Sequence, residues 1–276
     1  MANDVKNFSQ ALYNHSGYVL YFPEIAVDSD LNWLDHPVEI YEEKSYPLFP
    51  VGTRAVQGNE EWVYCENGGS ALAIAVPIQQ AAVIHAELPD DIVVGATSAI
   101  GAYTVTLTST ANLATAPLST KDGFKNGYLI VNDLIGQGQL YKIKGHAAAS
   151  GTADFVVTLY KPLKVALDTT SQVGLMQPAY QNVIVCPATL TGAFVGTNLL
   201  AITADYFFWA KTKGIAPAIA DGVIGIGLEV CVGITAGKVT LHDNDGSTNV
   251  IVIGTTATLG VTAGDEYCMV KLSGIG

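Results

Sequence analysis

Hydrophobic and polar residues alternate in short runs along most of this chain, and clusters of Gly, Asn and Asp separate the runs. The alternation is clearest at residues 102–108, where Tyr103, Val105 and Leu107 are interleaved with threonines. A period of two is typical of a half-buried β-strand. No stretch has the period of 3.6 residues that marks an amphipathic helix. The pattern therefore predicts an all-β protein built from antiparallel strands.

One β-hairpin is predicted over residues 53–65, where a Gly-Asn pair separates two strand-like runs. On its second strand, Trp62 and Tyr64 would share one face. Val63 and Cys65 would then point to the opposite face, because successive side chains of a strand alternate.

The aromatic run that begins at Tyr206 predicts a strand over 206–212, followed by a break at Gly-Ile-Ala-Pro. After the break, an Asp-Gly pair predicts a tight turn that leads into a strand over 223–232. Phe208 and Trp209 would lie on opposite faces of the first strand. Neither face can simply be exposed to solvent, so we expect one to fill a core and the other to meet a second layer or another subunit.

The turn signals divide the chain into three predicted segments. Residues 1–44 form an acidic, aromatic N-terminal arm, residues 45–190 a β-sandwich-like domain, and residues 191–276 a small β-barrel. Many short strands separated by turns are typical of antiparallel sandwiches and barrels. The predicted fold is thus an antiparallel β-sandwich or barrel body with a small C-terminal β-barrel and an extended N-terminal arm.

The N-terminal arm has two interpretations, because its aromatic residues follow neither a strand nor a helix period. It could form a few short strands packed on the body, or it could reach a neighbouring subunit. Tyr and Trp provide large contact areas at interfaces. The candidate residues for a capsid or subunit interface are Tyr13, Tyr18, Tyr21, Phe22, Trp33, Phe207 and Trp209.

The charge composition indicates which classes of partner the chain binds. Charged residues make up 14% of the chain, and the formal net charge is −12. So little charge indicates that part of the surface is buried in an assembly, and we expect a homo-oligomer, a dimer or trimer. Nucleic-acid binding is disfavoured because the chain is acidic and has one arginine, Arg54. Residues 1–66 carry 11 acidic and 3 basic residues, a net −8.

The four cysteines are far apart in the sequence, with no Cys-x-x-Cys pair, so they indicate buried thiols and neither zinc nor disulfides. The N-terminus lacks the pattern of a secretory leader, and no apolar run reaches the length of a membrane span. We therefore expect a protein made in a reducing cytoplasm, with no membrane partner.

No pattern of reactive residues predicts catalysis, a metal or a cofactor. His85 and Glu87 could lie on one strand face, but such a pair is usually a surface hydrogen bond. The acidic residues Glu39, Glu42 and Glu43 would serve a polysaccharide-degrading enzyme only if they converged with others. Asp-Asn-Asp-Gly at residues 243–246 has its glycine too early for a calcium loop and predicts a turn.

Several segments together resemble the tailed-bacteriophage proteins that decorate the capsid. The segments are Tyr-Pro-Leu-Phe-Pro-Val-Gly-Thr-Arg at 46–54, Trp-Val-Tyr at 62–64, Gly-Gly-Ser-Ala-Leu at 68–72, Lys-Asn-Gly-Tyr-Leu-Ile-Val-Asn-Asp at 125–133, Leu-Tyr-Lys-Pro-Leu at 159–163, and Tyr-Phe-Phe-Trp-Ala-Lys-Thr-Lys-Gly-Ile-Ala-Pro at 206–217 with the Asp-Gly pair after it. The chain departs from that group by Phe-Pro at 49–50 and by Asn-Glu-Glu at 59–61, where the group usually has an Asp-Gly-Arg turn.

This resemblance implies a non-enzymatic cement or decoration protein, made in the bacterial host cytoplasm and located on the capsid exterior of the virion. Its partner would be the major capsid protein. The alternative is an adhesion module associated with a phage tail or fibre that binds a host-surface glycan. A β-rich polysaccharide-degrading enzyme that uses Glu42 or Glu43 is a third hypothesis.

Overall fold

The structure is a computed structural model that describes residues 12–23, 36–83, 85–90, 92–115, 117–242, 251–257 and 261–274, with the backbone alone for 12–15. These residues form strands and turns and no helix, which confirms the all-β prediction. Every strand ladder among them is antiparallel. The strands are β1 (Leu12–His15), β2 (Tyr18–Tyr21), β3 (Arg54–Gln57), β4 (Glu60–Glu66), β5 (Pro77–Gln79), β6 (Ile92–Ala96), β7 (Thr104–Leu107), β8 (Tyr128–Asp133), β9 (Leu140–His146), β10 (Phe155–Leu159), β11 (Gln172–Met176), β12 (Ile184–Val185), β13 (Phe194–Asn198), β14 (Phe207–Ile219), β15 (Glu229–Val232), β16 (Val239–Leu241), β17 (Val252–Thr256) and β18 (Tyr267–Ser273).

The chain divides into two compact units. Unit 1 consists of Met1–Ala82 and Ala179–Gly276, and unit 2 is the intervening Val83–Pro178. Unit 1 takes strands from all three of the segments predicted from the sequence, so its boundaries differ from theirs. The reason is long-range pairing, since β4 of the predicted sandwich segment pairs with β14 of the predicted barrel segment.

Unit 2 is a closed barrel whose strands follow the order β10-β7-β6-β11-β8-β9. Closure leaves none of these strands with an unpaired edge. Its interior is filled by side chains such as Val105, Leu107, Ile143 and Phe155, all of which are buried. The alternation predicted for residues 102–108 is confirmed at Val105 and Leu107, whereas Tyr103 lies outside the strand and is exposed.

Unit 1 contains a twelve-stranded sheet among its described residues, with the order β1-β2-β3-β4-β14-β18-β17-β15-β16 along its main path. A parallel bridge between Ala220 and Val239 brings β16 back to the end of β14. The five C-terminal strands therefore form a nearly closed ring around an apolar core that includes Ile253, Cys268 and Val270. This ring corresponds to the small C-terminal barrel expected from the sequence.

The hairpin predicted over residues 53–65 is present as β3 and β4, with Gln57 paired to Glu60 across the turn. The predicted division of its faces is also confirmed. Trp62 and Tyr64 belong to one buried cluster, and Val63 and Cys65 belong to another on the opposite face. Strand β4 is thus covered on both sides.

The predicted break after residue 212 is wrong, because β14 continues through Gly214 and Pro217 to Ile219. The register against β4 shifts between Lys211 and Lys213, and from Lys213 onward β14 pairs with β18. Gly214 has a φ of +95°, which a glycine adopts without strain at such a bulge. A proline lacks a backbone N–H and is tolerated where one edge of a strand is unpaired.

The predicted hairpin around the Asp221-Gly222 pair is also wrong. Strand β14 pairs with β4, β13 and β18, whereas β15 pairs with β16 and β17. Residues 223–228 form a loop before β15, held by reciprocal backbone hydrogen bonds between Ile224 and Val261. Gly225 and Gly227 weaken strand formation in this loop, and the φ of +75° at Gly227 turns the chain.

One four-residue turn recurs along the chain. It begins with a residue in a reciprocal backbone bridge and ends with a residue of positive φ. In unit 1, Leu72 of one such turn bridges to Ile202 of another, and a third begins at Ile224. In unit 2, the turn begins at Ser98 and ends at Gly101. These turns place side chains outward at the position before the positive φ.

Candidate interaction surfaces

The N-terminal hairpin is integrated into unit 1. Strand β2 pairs with β3, and Leu20 and Phe22 are buried against the body. Of the two interpretations of the arm, the described residues 12–23 follow the one with short strands packed on the body. The side chain of Tyr13, and Trp33 altogether, lie outside the described part of the chain.

Four of the other predicted interface residues, Tyr18, Phe22, Phe207 and Trp209, gather on one face of the sheet of unit 1. Phe22 and Trp209 are buried in an aromatic cluster, and Tyr18 and Phe207 are partly buried against it. Tyr21 lies on the opposite face of the sheet, because side chains alternate along β2, and the Arg54 guanidinium lies 5.6 Å from the centre of its ring. Phe22 and Trp209 therefore contact side chains of this chain.

The rings of this buried aromatic cluster pack closely against one another. The Trp209 ring centre lies 5.0 Å from that of Tyr64 and 5.3 Å from that of Phe49. Tyr18 packs edge-on against Trp62 at 5.4 Å. Such tilted and edge-on pairs each contribute about 0.5–1.5 kcal/mol beyond their buried area.

The hydroxyl of Tyr64 ties the cluster to the loop beside it, because it accepts a hydrogen bond of 3.1 Å from the backbone N–H of Leu48. Burial raises the pKa of Tyr64 to about 12. Burial also raises the pKa of Tyr18, and the nearby Tyr41 and Glu39 raise it further. Both hydroxyls therefore stay protonated and neutral near neutral pH.

Two tyrosines at the edge of the cluster are exposed. Tyr41 is 69% exposed and Tyr46 is 60% exposed. A crevice beside the cluster has a volume of about 10 Å³ and is lined partly by Glu39, Glu42 and Lys44. That space holds about one water molecule, so the feature available to a partner is the surface itself. We call Tyr41, Tyr46 and the cluster near them the aromatic surface.

The carboxylates of Glu42 and Glu43 make separate contacts. Glu43 accepts hydrogen bonds from the backbone N–H and the hydroxyl of Thr203, at 2.6 and 2.8 Å. Glu42 instead pairs with Lys44 at 2.6 Å. The Glu43 contacts tie this loop to the turn that carries Thr203, whereas the pair of Glu42 and Lys44 lies within the loop itself.

His85 and Glu87 do lie together, 3.8 Å apart, but on a turn and not on the strand face that the sequence suggested. Glu87 also accepts hydrogen bonds from Thr110 at 2.7 Å and Asn112 at 3.1 Å, which lower its pKa. The carboxylate therefore anchors a turn of unit 2. Asp243–Gly246 lies outside the described residues, and among the described residues no group of three His, Cys, Asp or Glu side chains could hold a metal.

A polar cleft in unit 1, which sequence reasoning missed, has a volume of about 330 Å³. Its lining includes Arg54, Glu61, Tyr180 and Lys213. Glu61 accepts from Arg54 at 2.8 Å and from Lys213 at 3.1 Å. Burial raises the pKa of Glu61, but these two cations outweigh burial and hold it below its ordinary value. The hairpin of β3 and β4 creates the ion pair between Arg54 and Glu61. It places Arg54 directly opposite Val63, two residues from Glu61 on the same face of β4.

All four cysteines are buried and unpaired, which confirms that interpretation of the sequence. Burial raises the pKa of each thiol, to about 12 at Cys186. A thiol is reactive as its thiolate, so these four are poorly suited to nucleophilic chemistry.

The fold and these surfaces define an all-β protein with two compact units and an aromatic surface. No family model, no curated protein and no solved structure matches the chain. Among the described residues there is no helix long and apolar enough to cross a bilayer.

Proposed function

We propose that this chain is a non-enzymatic virion structural protein that binds and stabilises a bacteriophage capsid as a cement or decoration protein. The observation that carries the proposal is the aromatic surface, where two exposed tyrosines lie near a buried aromatic cluster. A tyrosine offers a partner a large contact area with few side-chain torsions to immobilise. The resemblance of the segments at 46–54 and 206–217 to decoration proteins supports the same function.

The composition is also suited to a capsid partner. A net charge of −12 disfavours contact with the packaged genome, and the scarcity of charged side chains suits burial between subunits. Of the residues considered for catalysis, Glu42, Glu43 and Glu87 make local contacts with Lys44, Thr203 and Thr110.

The test adds the purified full chain to expanded capsids that lack it and measures co-sedimentation and the temperature at which the capsids open. We expect saturable binding and a higher opening temperature. Replacing Tyr41 and Tyr46 with Ser should weaken binding at least about 30-fold, as loss of interface hot spots does. Tyr267→Ser is the matched control, because Tyr267 is 50% exposed in the same unit but lies outside the aromatic cluster.

Absence of binding together with unchanged capsid stability would reject this function. The polar cleft favours a second candidate, a tail or fibre adhesion module that binds host glycans, since its volume and polar lining fit a small sugar. A glycan array with the wild type and Arg54→Ala tests it. Binding that is lost in the variant would support adhesion, and an array without signal would exclude it.

A further inference from the structure

Two rings of five strands make up most of the sheet of unit 1. The first ring follows the order β4-β14-β13-β5-β12 and the second follows β14-β18-β17-β15-β16, with one half of β14 in each. A parallel bridge closes each ring, between Asn67 and Val183 in the first and between Ala220 and Val239 in the second. The other pairings among the described residues are antiparallel, so both rings share an uncommon feature at the same place.

Strand register relates the two rings residue by residue. Thr197 lies opposite Lys211 between β13 and β14, and Thr255 lies opposite Lys271 between β17 and β18. Each of these lysines is followed three residues later by a glycine of positive φ. Strand β13 therefore matches β17, and the first half of β14 matches β18.

The irregularities of the rings recur as well. Val195 is skipped where β13 pairs with β5, and Ile253 is skipped where β17 pairs with β15. Bulges of this kind are kept within protein families. Each ring also joins two turns by a reciprocal backbone bridge. These bridges are Leu72–Ile202 and Ile224–Val261.

The cores of the two rings match position by position. Nine of the ten buried apolar residues in the first core have a buried apolar residue of the second core at the equivalent position. The equivalent pairs are Val63 and Ala216, Cys65 and Ala218, Leu72 and Ile224, Ile78 and Val230, Val183 and Val239, Val195 and Ile253, Ile202 and Val261, Phe208 and Cys268, and Ala210 and Val270. Most of these pairs differ in residue type, so the relation is visible in the register and hardly in the sequence.

The rings differ most in one connection. In the second ring, residues 233–238 join β15 to β16. The register places Gln80 and Val183 at the equivalent ends in the first ring, and the whole of unit 2, Val83–Pro178, lies between them. Without unit 2, residues 81–82 and 179–182 would remain, which equals the length of the turn in the second ring.

Unit 2 has the properties of an inserted domain. Its buried core is drawn from residues 88–175, and its strands close on themselves. The chain leaves and re-enters unit 1 at neighbouring points, because Gln79 lies opposite Ile184 where β5 pairs with β12. A turn with adjacent ends tolerates the insertion of a domain.

We propose that unit 1 is a tandem duplication of one five-stranded ring and that unit 2 is a separable domain inserted into the first copy. Strand β14 ends the first copy and begins the second, which accounts for its 13 residues and for the bulge between Lys211 and Lys213. The aromatic surface belongs wholly to unit 1. Binding of a partner through that surface should therefore not need unit 2. This consequence rests on the proposed function, whereas the duplication does not.

The first experiment uses the full chain. The three tryptophans, Trp33, Trp62 and Trp209, belong to unit 1, so their fluorescence during urea unfolding reports that unit. We expect Ile78→Ala, in the first core, to lower the urea midpoint of the fluorescence. Leu107→Ala, in the core of unit 2, should leave it unchanged, because an unfolded insertion acts only as a long loop. Equal decreases with both substitutions would overturn the separation of the units.

The second experiment deletes Val83–Pro178. In a second version, the remaining connection is replaced by Gly-Ile-Thr-Ala-Gly-Lys, the sequence of residues 233–238. We expect a cooperative fluorescence transition in the shortened chain. Deletion of 77–185 is the control, because it also removes β5 and β12 and should abolish the transition. Loss of the transition in both shortened versions would overturn the proposal.

Co-sedimentation with expanded capsids then tests what the insertion contributes to binding. We expect the folded, shortened chain to bind with a dissociation constant within about threefold of that of the full chain. Binding by the full chain alone would assign the partner contact to unit 2 and contradict this consequence. If neither chain binds, the proposed function fails, and the unfolding of the shortened chain still decides the duplication.

Discussion

The ammonium nitrogen of Lys211 lies 4.3 Å from the centre of the Trp62 ring, across the pair of strands β14 and β4. The same nitrogen pairs with the carboxylate of Glu60. Lys211 is 7% exposed and Trp62 is 3% exposed, so a charged side chain is held inside the edge of the aromatic cluster. The cation–π contact and the ion pair together compensate for the loss of its hydration.

Lys211→Ala should therefore lower the free energy of unfolding by about 1–3 kcal/mol, through loss of the ring contact and an uncompensated Glu60. Urea denaturation followed by tryptophan fluorescence measures the change. Lys213→Ala is the control from the same strand, since its side chain is 46% exposed and pairs with Glu61. An exposed pair is worth about 0–1 kcal/mol, and equal effects of the two substitutions would contradict the role given to Lys211.

The pairing of Glu61 with Arg54 and Lys213 predicts an acid sensitivity. The pKa of Glu61 lies below its ordinary value of 4.5 in the folded chain. Its contribution to stability is therefore present above the unfolded pKa and is lost as the pH falls through the folded pKa. Glu61→Gln should flatten the decrease in the free energy of unfolding between about pH 6 and pH 3. An unchanged dependence of the free energy of unfolding on pH would show that the ion pairs of Glu61 do not contribute to stability.

At two glycines of unit 1, the neighbouring backbone lies too close for a side chain. A Cβ on Gly196 would lie 2.3 Å from the carbonyl oxygen of Lys211, and one on Gly254 would lie 2.1 Å from that of Lys271. Either Gly→Ala substitution forces paired strands apart and should cost about 1–3 kcal/mol. Gly69→Ala is the control, because no atom lies within 4 Å of the added methyl group. Thermal unfolding of the three variants checks this, and a similar loss in all three would contradict it.

Burial predicts that the four cysteine thiols react slowly with thiol reagents. Ellman's reagent should leave Cys65, Cys186, Cys231 and Cys268 unreacted in the native chain and modify all four in guanidinium chloride, because burial suppresses both access and the thiolate form. Absorbance of the released thiolate gives the count directly. Rapid modification of any of the four in native buffer would show that its side chain is accessible.

Local patterns predicted the parts of the fold that depend on neighbours in the sequence. The alternation around Trp62 and Tyr64 placed each side chain of β4 on its observed face, because a period of two fixes the faces of a strand. The continuation of β14 through Pro217 was missed, since its partner β18 lies about fifty residues further along the chain. No local sequence signal reveals that a strand containing a proline will have a paired neighbour on only one side at that position.

The surfaces were predictable only in part. The aromatic run that begins at Tyr206 indicated contact residues, and the structure brings Trp209 together with Phe22 from the opposite end of the chain. The exposed Tyr41 and Tyr46 could not be distinguished from buried tyrosines by sequence, because exposure depends on tertiary packing.

A reconstruction of the native phage particle by electron cryomicroscopy tests the central claim most directly. We predict density on the outer face of the capsid that fits the closed barrel of unit 2 and the twelve-stranded sheet of unit 1. The side chains of Tyr41 and Tyr46 should lie against the major capsid protein. Density for this chain on the tail or its fibres, or a capsid exterior without it, would contradict the account.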